Sequence, residues 1–228
     1  MGSPLPGAVG ISKLSVYDTT APDGLVGGTP HLHLTCSEGY VVIAGAGHVQ
    51  TLATSGYAET PLRPGTVAWF PPGTIHRLVN EGGLQIVVIM QNSGLPEAGD
   101  AVMTFPPGVL ADAGAYQAAA TLPGDDVTAA YRRRDLAVTG FLALRGGGPE
   151  ALAEFHAAAA RLVAPKLPEW RKRWADGALQ AAADTGRQLD ALERGDHSHL
   201  AAGGIEVRPA PSEHGRHGMC GLLDTYHV

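Results

Sequence analysis

The pattern of hydrophobic and polar positions divides the chain into two parts that are built differently. Up to residue 108, short apolar or alternating runs are separated by Gly, Pro and Ser, which predicts many short antiparallel strands. After residue 108, apolar residues recur at intervals of ~3.6 residues, which predicts amphipathic helices at 125–144, 149–164 and 168–194. The predicted strands lie at 11–17, 31–36, 40–44, 48–53, 57–62, 66–70, 76–80, 85–91 and 101–105.

These patterns define three regions. Residues 1–108 form the predicted β unit, residues 109–200 form a helical region, and residues 201–228 form a tail. The tail regains strand composition at 205–208 and 222–228, so it can return to the sheet. Charge follows the same division, because the first 108 residues hold ten of the 38 charged side chains. Many short strands with few charges indicate a sandwich or a small barrel.

The overall composition narrows the classes of function. The chain has 228 residues, of which 44% are hydrophobic, so it can bury a core and is not intrinsically disordered. Its net charge of −6 argues against nucleic acid or an anionic membrane as the main partner. Two cysteines exclude a disulfide scaffold, and the sequence contains no recognisable signal peptide or membrane-spanning run. We therefore expect a cytoplasmic protein that binds neither nucleic acid nor membranes.

Histidine is unusually frequent, and two of the ten histidines lie on one predicted strand. Residues i and i+2 of a strand point to the same face, so His31 and His33 project together while Leu32 and Leu34 point the other way. Two imidazoles side by side on an inward face are costly unless their nitrogen atoms are satisfied. A divalent metal ion would satisfy them.

Two further residues can complete a metal site. Glu38 follows the strand after a short turn and offers a carboxylate oxygen, and His76 offers a third imidazole near the start of a later strand. Three nitrogens and one oxygen suit one divalent transition metal ion, whether Fe, Ni, Mn, Co, Cu or Zn, and do not select among them. Four protein ligands on an octahedral ion leave two positions open for substrate or O₂.

The spacing of these residues resembles the first motif of the cupin superfamily. His31, His33, Glu38 and Gly45 fit the pattern His-x-His-x4-Glu-x6-Gly. One departure is Leu25, which stands where this motif usually opens with glycine.

The second cupin motif, Gly-x5-Pro-x-Gly-x2-His-x3-Asn, is matched position by position at Gly65, Pro71, Gly73, His76 and Asn80. The resemblance covers roughly residues 10–105. It implies a mainly β fold, a cupin-type jelly-roll β-barrel followed here by an α-helical region and a short β-like C-terminal tail. It also implies a metal held inside the barrel by the three histidines and Glu38, and a homodimer.

Other polar residues have less specific interpretations. Arg77 can bind an acidic substrate or pair with a carboxylate, and the second role is more common. Asn80 most often serves backbone hydrogen bonding in a turn. A second zinc site in the tail is weaker than a plain loop because the paired spacings are missing; its residues would be His214, His217 and Cys220. Strand alternation leaves open which further residues line the cavity, among Thr35, Tyr40, Val42, Trp69, Ile75, Arg77, Gln85, Val87, Ile89 and Gln91.

Three hypotheses of function follow. The first is a metal-dependent oxidoreductase of the dioxygenase type, in which a small organic substrate binds the metal and Glu38 can act as general base. The second is a metal-dependent isomerase or lyase of a sugar or keto compound. A sugar phosphate would need several basic residues near the barrel mouth, and the β unit offers only Lys13, Arg63 and Arg77, so this ranks second. The third is a non-enzymatic cupin that binds a small molecule.

Overall fold

The computed structural model describes residues 5–124, 126–211 and 214–226, with most of the strands before the helices. The strands are β1 (Gly10–Val16), β2 (His31–His33), β3 (Glu38–Ala53), β4 (Gly56–Leu62), β5 (Val67–Phe70), β6 (Ile75–Met90), β7 (Ala101–Met103), β8 (Arg216–His217) and β9 (Gly221–Thr225). The helices are α1 (Pro107–Leu110), α2 (Ala113–Ala120), α3 (Val127–Val163), α4 (Leu167–Trp174) and α5 (Gln180–Glu193). None of these helices is long and apolar enough to cross a membrane.

The strands form one antiparallel sheet that folds over on itself. Its main path runs β4-β3-β6-β1-β9-β8, with β5 on the first part of β3 and with β2 joining β7 to β6. β3 and β6 are each 16 residues long, so both strands take part in two faces of the molecule. The described strands follow an open path and do not close into a continuous ring. This architecture confirms the predicted mainly β jelly-roll fold with a helical region.

β3 bends where it passes from one face to the other. Its register with β6 shifts between Val42 and Gly47, which marks bulges. Gly45 lies at this bend with a φ of +73°, and a Cβ at this position would collide with the carbonyl group of Gly83. The glycine that ends the first motif is therefore required by the bend of the strand.

Two apolar cores position the site between them. One core is enclosed by the folded sheet and includes Tyr40 and Ile86. The other includes Leu32 of β2 together with Phe141 and Phe155 of α3. The helical region therefore covers the outer side of the sheet next to β2, and burial of these large side chains stabilises that contact by about 2 kcal/mol each.

The helical segment α3 is interrupted at the place where the sequence pattern predicts a break between two helices. The predicted break appears as a kink at Gly148, which has a φ of +69° and precedes Pro149. The first residue of the predicted helix, residue 125, lies outside the described residues. The helix begins at Val127, and the side chain of Asp126 caps it by accepting a hydrogen bond from the Thr128 N–H at 2.8 Å.

The tail returns to the sheet through β9, which pairs with β1 and with β8. The predicted strand at 222–228 overlaps β9, and its last two residues lie outside the described residues. The prediction of a strand at 205–208 is wrong, because this segment is irregular and largely exposed. The strands of the sheet pair with other segments of the chain, so strand composition alone does not make residues 205–208 a strand.

Candidate metal centre

The four residues expected to bind a metal lie on three strands that meet inside the folded sheet. β2 carries His31 and His33 on one face, whereas Leu32 packs into the core beneath the helices. β6 lies beside β2 and places His76 opposite His31. Glu38 is the first residue of β3, which also pairs with β6. The structure thus brings together all four residues, which we call the His/Glu cluster.

The cluster is compact and shielded from solvent. One potential ligand atom from each of its four residues lies within 4.8 Å of the others. Nε2 of His33 is 3.2 Å from Oε2 of Glu38, and Nε2 of His76 is 2.8 Å from the same oxygen. The exposed fractions are 2% for His31, 5% for His33, 7% for Glu38 and 1% for His76.

The second nitrogen of each imidazole fixes the orientation of its ring. Nδ1 of His31 lies 2.9 Å from the carbonyl oxygen of Thr29, and Nδ1 of His76 lies 3.1 Å from that of Thr74. A carbonyl oxygen only accepts, so both Nδ1 atoms carry the proton and donate it. In the neutral rings, the Nε2 atoms therefore present lone pairs to the interior of the cluster.

In a neutral His76 this lone pair faces the carboxylate of Glu38. Although Nε2 of His76 and Oε2 of Glu38 are close, neither makes a hydrogen bond of acceptable geometry within the described residues. A lone pair and an anionic oxygen repel each other unless a cation lies between them. A proton on the imidazole or a metal ion can supply this cation, and the set of three imidazoles and one carboxylate is a donor set that fits a metal ion.

The electrostatics of the cluster agree with this donor set. Burial would raise the pKa of Glu38, but the imidazoles of His76 and His33 outweigh burial and hold the pKa well below its ordinary value. Burial and the two neighbouring imidazoles lower the pKa of His31 well below its usual value. Burial also acts to lower the pKa of His33, but the hydrogen bond to Asp100 and the negative charges of Glu38 and Asp100 raise it to about 9. An ionised carboxylate thus lies beside a neutral His31.

Asp100 belongs to the site and was missed by sequence reasoning. Its Oδ2 accepts a hydrogen bond from Nδ1 of His33 at 3.0 Å, and its Oδ1 accepts from the backbone N–H and the hydroxyl of Thr35 at 2.8 and 2.6 Å. The carboxylate is fully buried, and these hydrogen bonds outweigh burial and lower its pKa. Asp100 precedes β7, which pairs with β2, and only this topology brings it to His33.

Aromatic side chains complete the surroundings of the cluster. The ring of Phe70 stacks on His76 with centroids 4.8 Å apart and planes inclined by 8°. Tyr40 packs edge-on against Phe70 at 5.1 Å. Burial and the Glu38 carboxylate raise the pKa of Tyr40 well above its usual value, so the phenol stays neutral. The cluster therefore lies in a weakly polar environment in which a bound cation interacts strongly with its ligands.

The residues that follow His76 have structural contacts. Arg77 is fully buried and forms an ion pair with Asp23, so it takes the more common of the two roles considered. The side chain of Asn80 donates to the carbonyl of Val16 at 3.1 Å and accepts from the backbone N–H of Gly82 at 2.9 Å. This confirms backbone hydrogen bonding for Asn80.

A cavity of about 630 Å³ opens onto the cluster. Val88 and Met90 line it, so the alternate residues Val87 and Ile89 point to the opposite face of β6. Trp69 is 74% exposed and lies on the outer surface. None of the ten residues among which the sequence left the choice open lines this cavity.

The histidines of the tail make separate contacts. Nδ1 of His217 lies 3.4 Å from the Tyr17 hydroxyl, and His214 pairs with Asp224 at 3.3 Å. Within the described residues, the His/Glu cluster is the only group of three or more His, Cys, Asp or Glu side chains close enough to share an ion.

Comparison with solved structures gives weak global similarity. A predicted oxalate decarboxylase from Thermotoga maritima is 19% identical with a TM-score of 0.28, and the match covers 36% of this chain and 64% of that one. A TDP-quinovose 3,4-ketoisomerase from Campylobacter jejuni is 12% identical with a TM-score of 0.29, covering 35% and 60%. A cupin superfamily protein from Desulfitobacterium hafniense is 19% identical with a TM-score of 0.29, covering 36% and 66%. The chain thus spans less than two thirds of each of these proteins.

Comparison with protein families identifies one domain in the chain. No curated protein matches the chain. The family described as "Cupin domain" matches residues 17–90, a stretch that contains both motifs and all four residues of the His/Glu cluster. Residues 17–90 of the chain therefore form a cupin domain.

Proposed function

We propose that this protein holds one divalent transition metal ion at the His/Glu cluster and is an oxidoreductase of the dioxygenase type. Its substrate is a small organic molecule in the adjoining cavity. The observation that supports this proposal best is the convergence of buried imidazole Nε2 atoms on the Glu38 carboxylate, while Nδ1 of each ring is already bound elsewhere.

Each residue has a distinct part in this proposal. His31, His33, Glu38 and His76 would hold the ion, which supplies Lewis acidity and, where it is redox active, electron exchange with an organic ligand and O₂. Glu38 is also the residue placed to accept a proton from the substrate. Tyr40 keeps its phenolic proton beside the cluster, and the buried setting excludes bulk water from the reacting groups.

A sugar-phosphate isomerase is supported less well than an oxidoreductase. Such an enzyme needs free cationic groups for the phosphate. Arg77 is committed to Asp23, and Arg63 donates to the carbonyl of Gly47 at 2.9 Å and pairs with Glu81 at 3.4 Å. Two of the three basic residues of the β unit are thus engaged away from the cavity, so a phosphate would have to be held by basic residues from outside that unit.

Metal analysis combined with oxygen uptake tests the proposal. The purified protein, as isolated and after supplementation with each candidate metal, is expected to hold about one ion per chain and to consume O₂ with an enolisable or catecholic compound. Turnover without O₂ consumption would favour the isomerase or lyase, and an ordered protein that takes up no metal would rule out both enzymes.

The change Asp100→Asn is expected to weaken metal binding by about 10–100-fold, the usual effect of removing a carboxylate that orients a metal-binding histidine. Asparagine keeps the size of the side chain but loses the anion that receives the His33 Nδ1 proton. Competition with a chromophoric chelator measures the affinity directly. Asp112→Asn, at an exposed helix cap, is the control and should leave metal affinity unchanged; equal affinities for Asp100→Asn and the control would contradict the role given to Asp100.

A further inference from the structure

We propose that the cavity beside the His/Glu cluster binds a small organic anion whose carboxylate is held by Arg216 and Arg173. This inference rests on the proposed function, because it assigns the substrate class of the same site. The cavity of about 630 Å³ is lined by residues of the cluster and by both arginines, so one ligand can contact the cluster and the arginines at the same time. A volume of this size suits a small organic molecule.

The strand register places Arg216, an exposed residue, on the side of the sheet that lines the cavity. Arg216 lies opposite Leu223 in the pair of β8 and β9, and Leu223 lies opposite Leu14 in the pair of β1 and β9. Directly opposed residues of antiparallel strands point to the same face. All three side chains line the cavity, so Arg216 is the charged end of an otherwise apolar strip.

Arg216 forms no ion pair with a carboxylate within the part of the chain that the structure describes. Asp224, the acidic residue of β9, instead pairs with His214 at 3.3 Å. The guanidinium of Arg216 can therefore receive a ligand carboxylate without first breaking an ion pair among the described residues.

Arg173 approaches the cavity from the last turn of α4. Its Nε donates to Glu169 at 3.0 Å, which fixes the direction of the side chain. A terminal nitrogen of the guanidinium lies beside Gly94, another residue of the cavity wall. Both terminal amino groups remain available for a second hydrogen bond to an anion.

The charge balance of the lining favours an anion. Its two acidic residues are Glu38, within the cluster, and Glu97, which accepts a hydrogen bond from the Gly94 N–H at 2.8 Å. Among the lining residues, Arg173 and Arg216 offset these two charges, so a divalent ion at the cluster adds an excess of positive charge. A neutral ligand would not reduce this excess, whereas a carboxylate with a second anionic oxygen at the metal would.

Calorimetric titration of the metal-loaded protein tests the assignment. The probes are ω-carboxyalkyl hydroxamates of increasing chain length and their methyl esters, in which the hydroxamate binds the metal and the other end is charged or neutral. At the best length the acid is expected to bind about tenfold more tightly than the ester. Arg216→Gln and Arg173→Gln should each remove most of this difference. Arg171→Gln, exposed on the same helix, is the control and should retain it.

The possible failures are distinguishable. Metal content is measured before any probe is added, so a protein that takes up no metal overturns the proposed function. Equal affinities for acid and ester in the fully loaded protein would overturn only the anion assignment. A preference for the acid that persists in both arginine variants would also overturn only the anion assignment.

Discussion

Replacing His76 with alanine is expected to abolish stoichiometric metal binding, with a loss of affinity of about 100-fold or more. Removing an outer residue that only orients a ligand already costs 10–100-fold, and His76 is placed to be a ligand itself. The change leaves Oε2 of Glu38 without its 2.8 Å neighbour in a buried site. Metal content after dialysis and affinity by chelator competition measure the loss.

Thermal unfolding separates this loss from damage to the fold. At a metal concentration of 100 times the Kd, binding stabilises the folded state by about 2.7 kcal/mol. The wild type and His197→Ala, which alters an exposed histidine, should show this metal-dependent rise in melting temperature. His76→Ala should unfold cooperatively and show no rise. Glu38→Gln keeps the shape of the side chain and should also lack the rise; normal loading of both variants would refute the ligand assignment.

The cluster was predictable because its determinants are local. The two-residue period of a strand is sufficient to place His31 and His33 on one face with Leu32 on the other, and the structure has this arrangement. Gly45 marks the bend of β3 for a similarly local reason, since its backbone conformation excludes other residues. The cupin motifs add the register between β2 and β6, which brings His76 opposite His31.

The remaining features depend on pairings that spacing does not encode. Asp100 reaches His33 because β7 pairs with β2, across 67 residues of sequence. Arg216 joins the cavity only because β9 pairs with β1 and carries β8 with it. Composition alone predicts strand character equally for 205–208, which forms no strand. A segment of the tail forms a strand only where an edge of the sheet is available for pairing. The sequence of the tail does not show where that edge lies.

The change Asp23→Asn is expected to lower the free energy of unfolding at pH 7 by about 3 kcal/mol, or the melting temperature by about 6–12 °C. Arg77 is fully buried, and its guanidinium binds both oxygens of Asp23. Its Nε also donates to the carbonyl of Gly28 at 3.2 Å, just before the strand that carries His31. Removing the carboxylate leaves a buried cation without its counterion. Urea unfolding at pH 7 measures the loss.

The pH dependence of this loss identifies its cause. Burial acts to raise the pKa of Asp23, but the hydrogen bonds and charge of Arg77 outweigh burial and lower it. A carboxyl group with a lowered folded-state pKa stabilises the fold above its unfolded pKa of about 3.9, and this contribution disappears as the pH falls through the folded value. The difference between wild type and Asp23→Asn should therefore be full at pH 7 and shrink below about pH 4. The double change of Asp23→Asn with Arg77→Met removes the cation as well and should cost less than Asp23→Asn alone. An equal loss at all pH values would show that shape, and not charge, determines the effect.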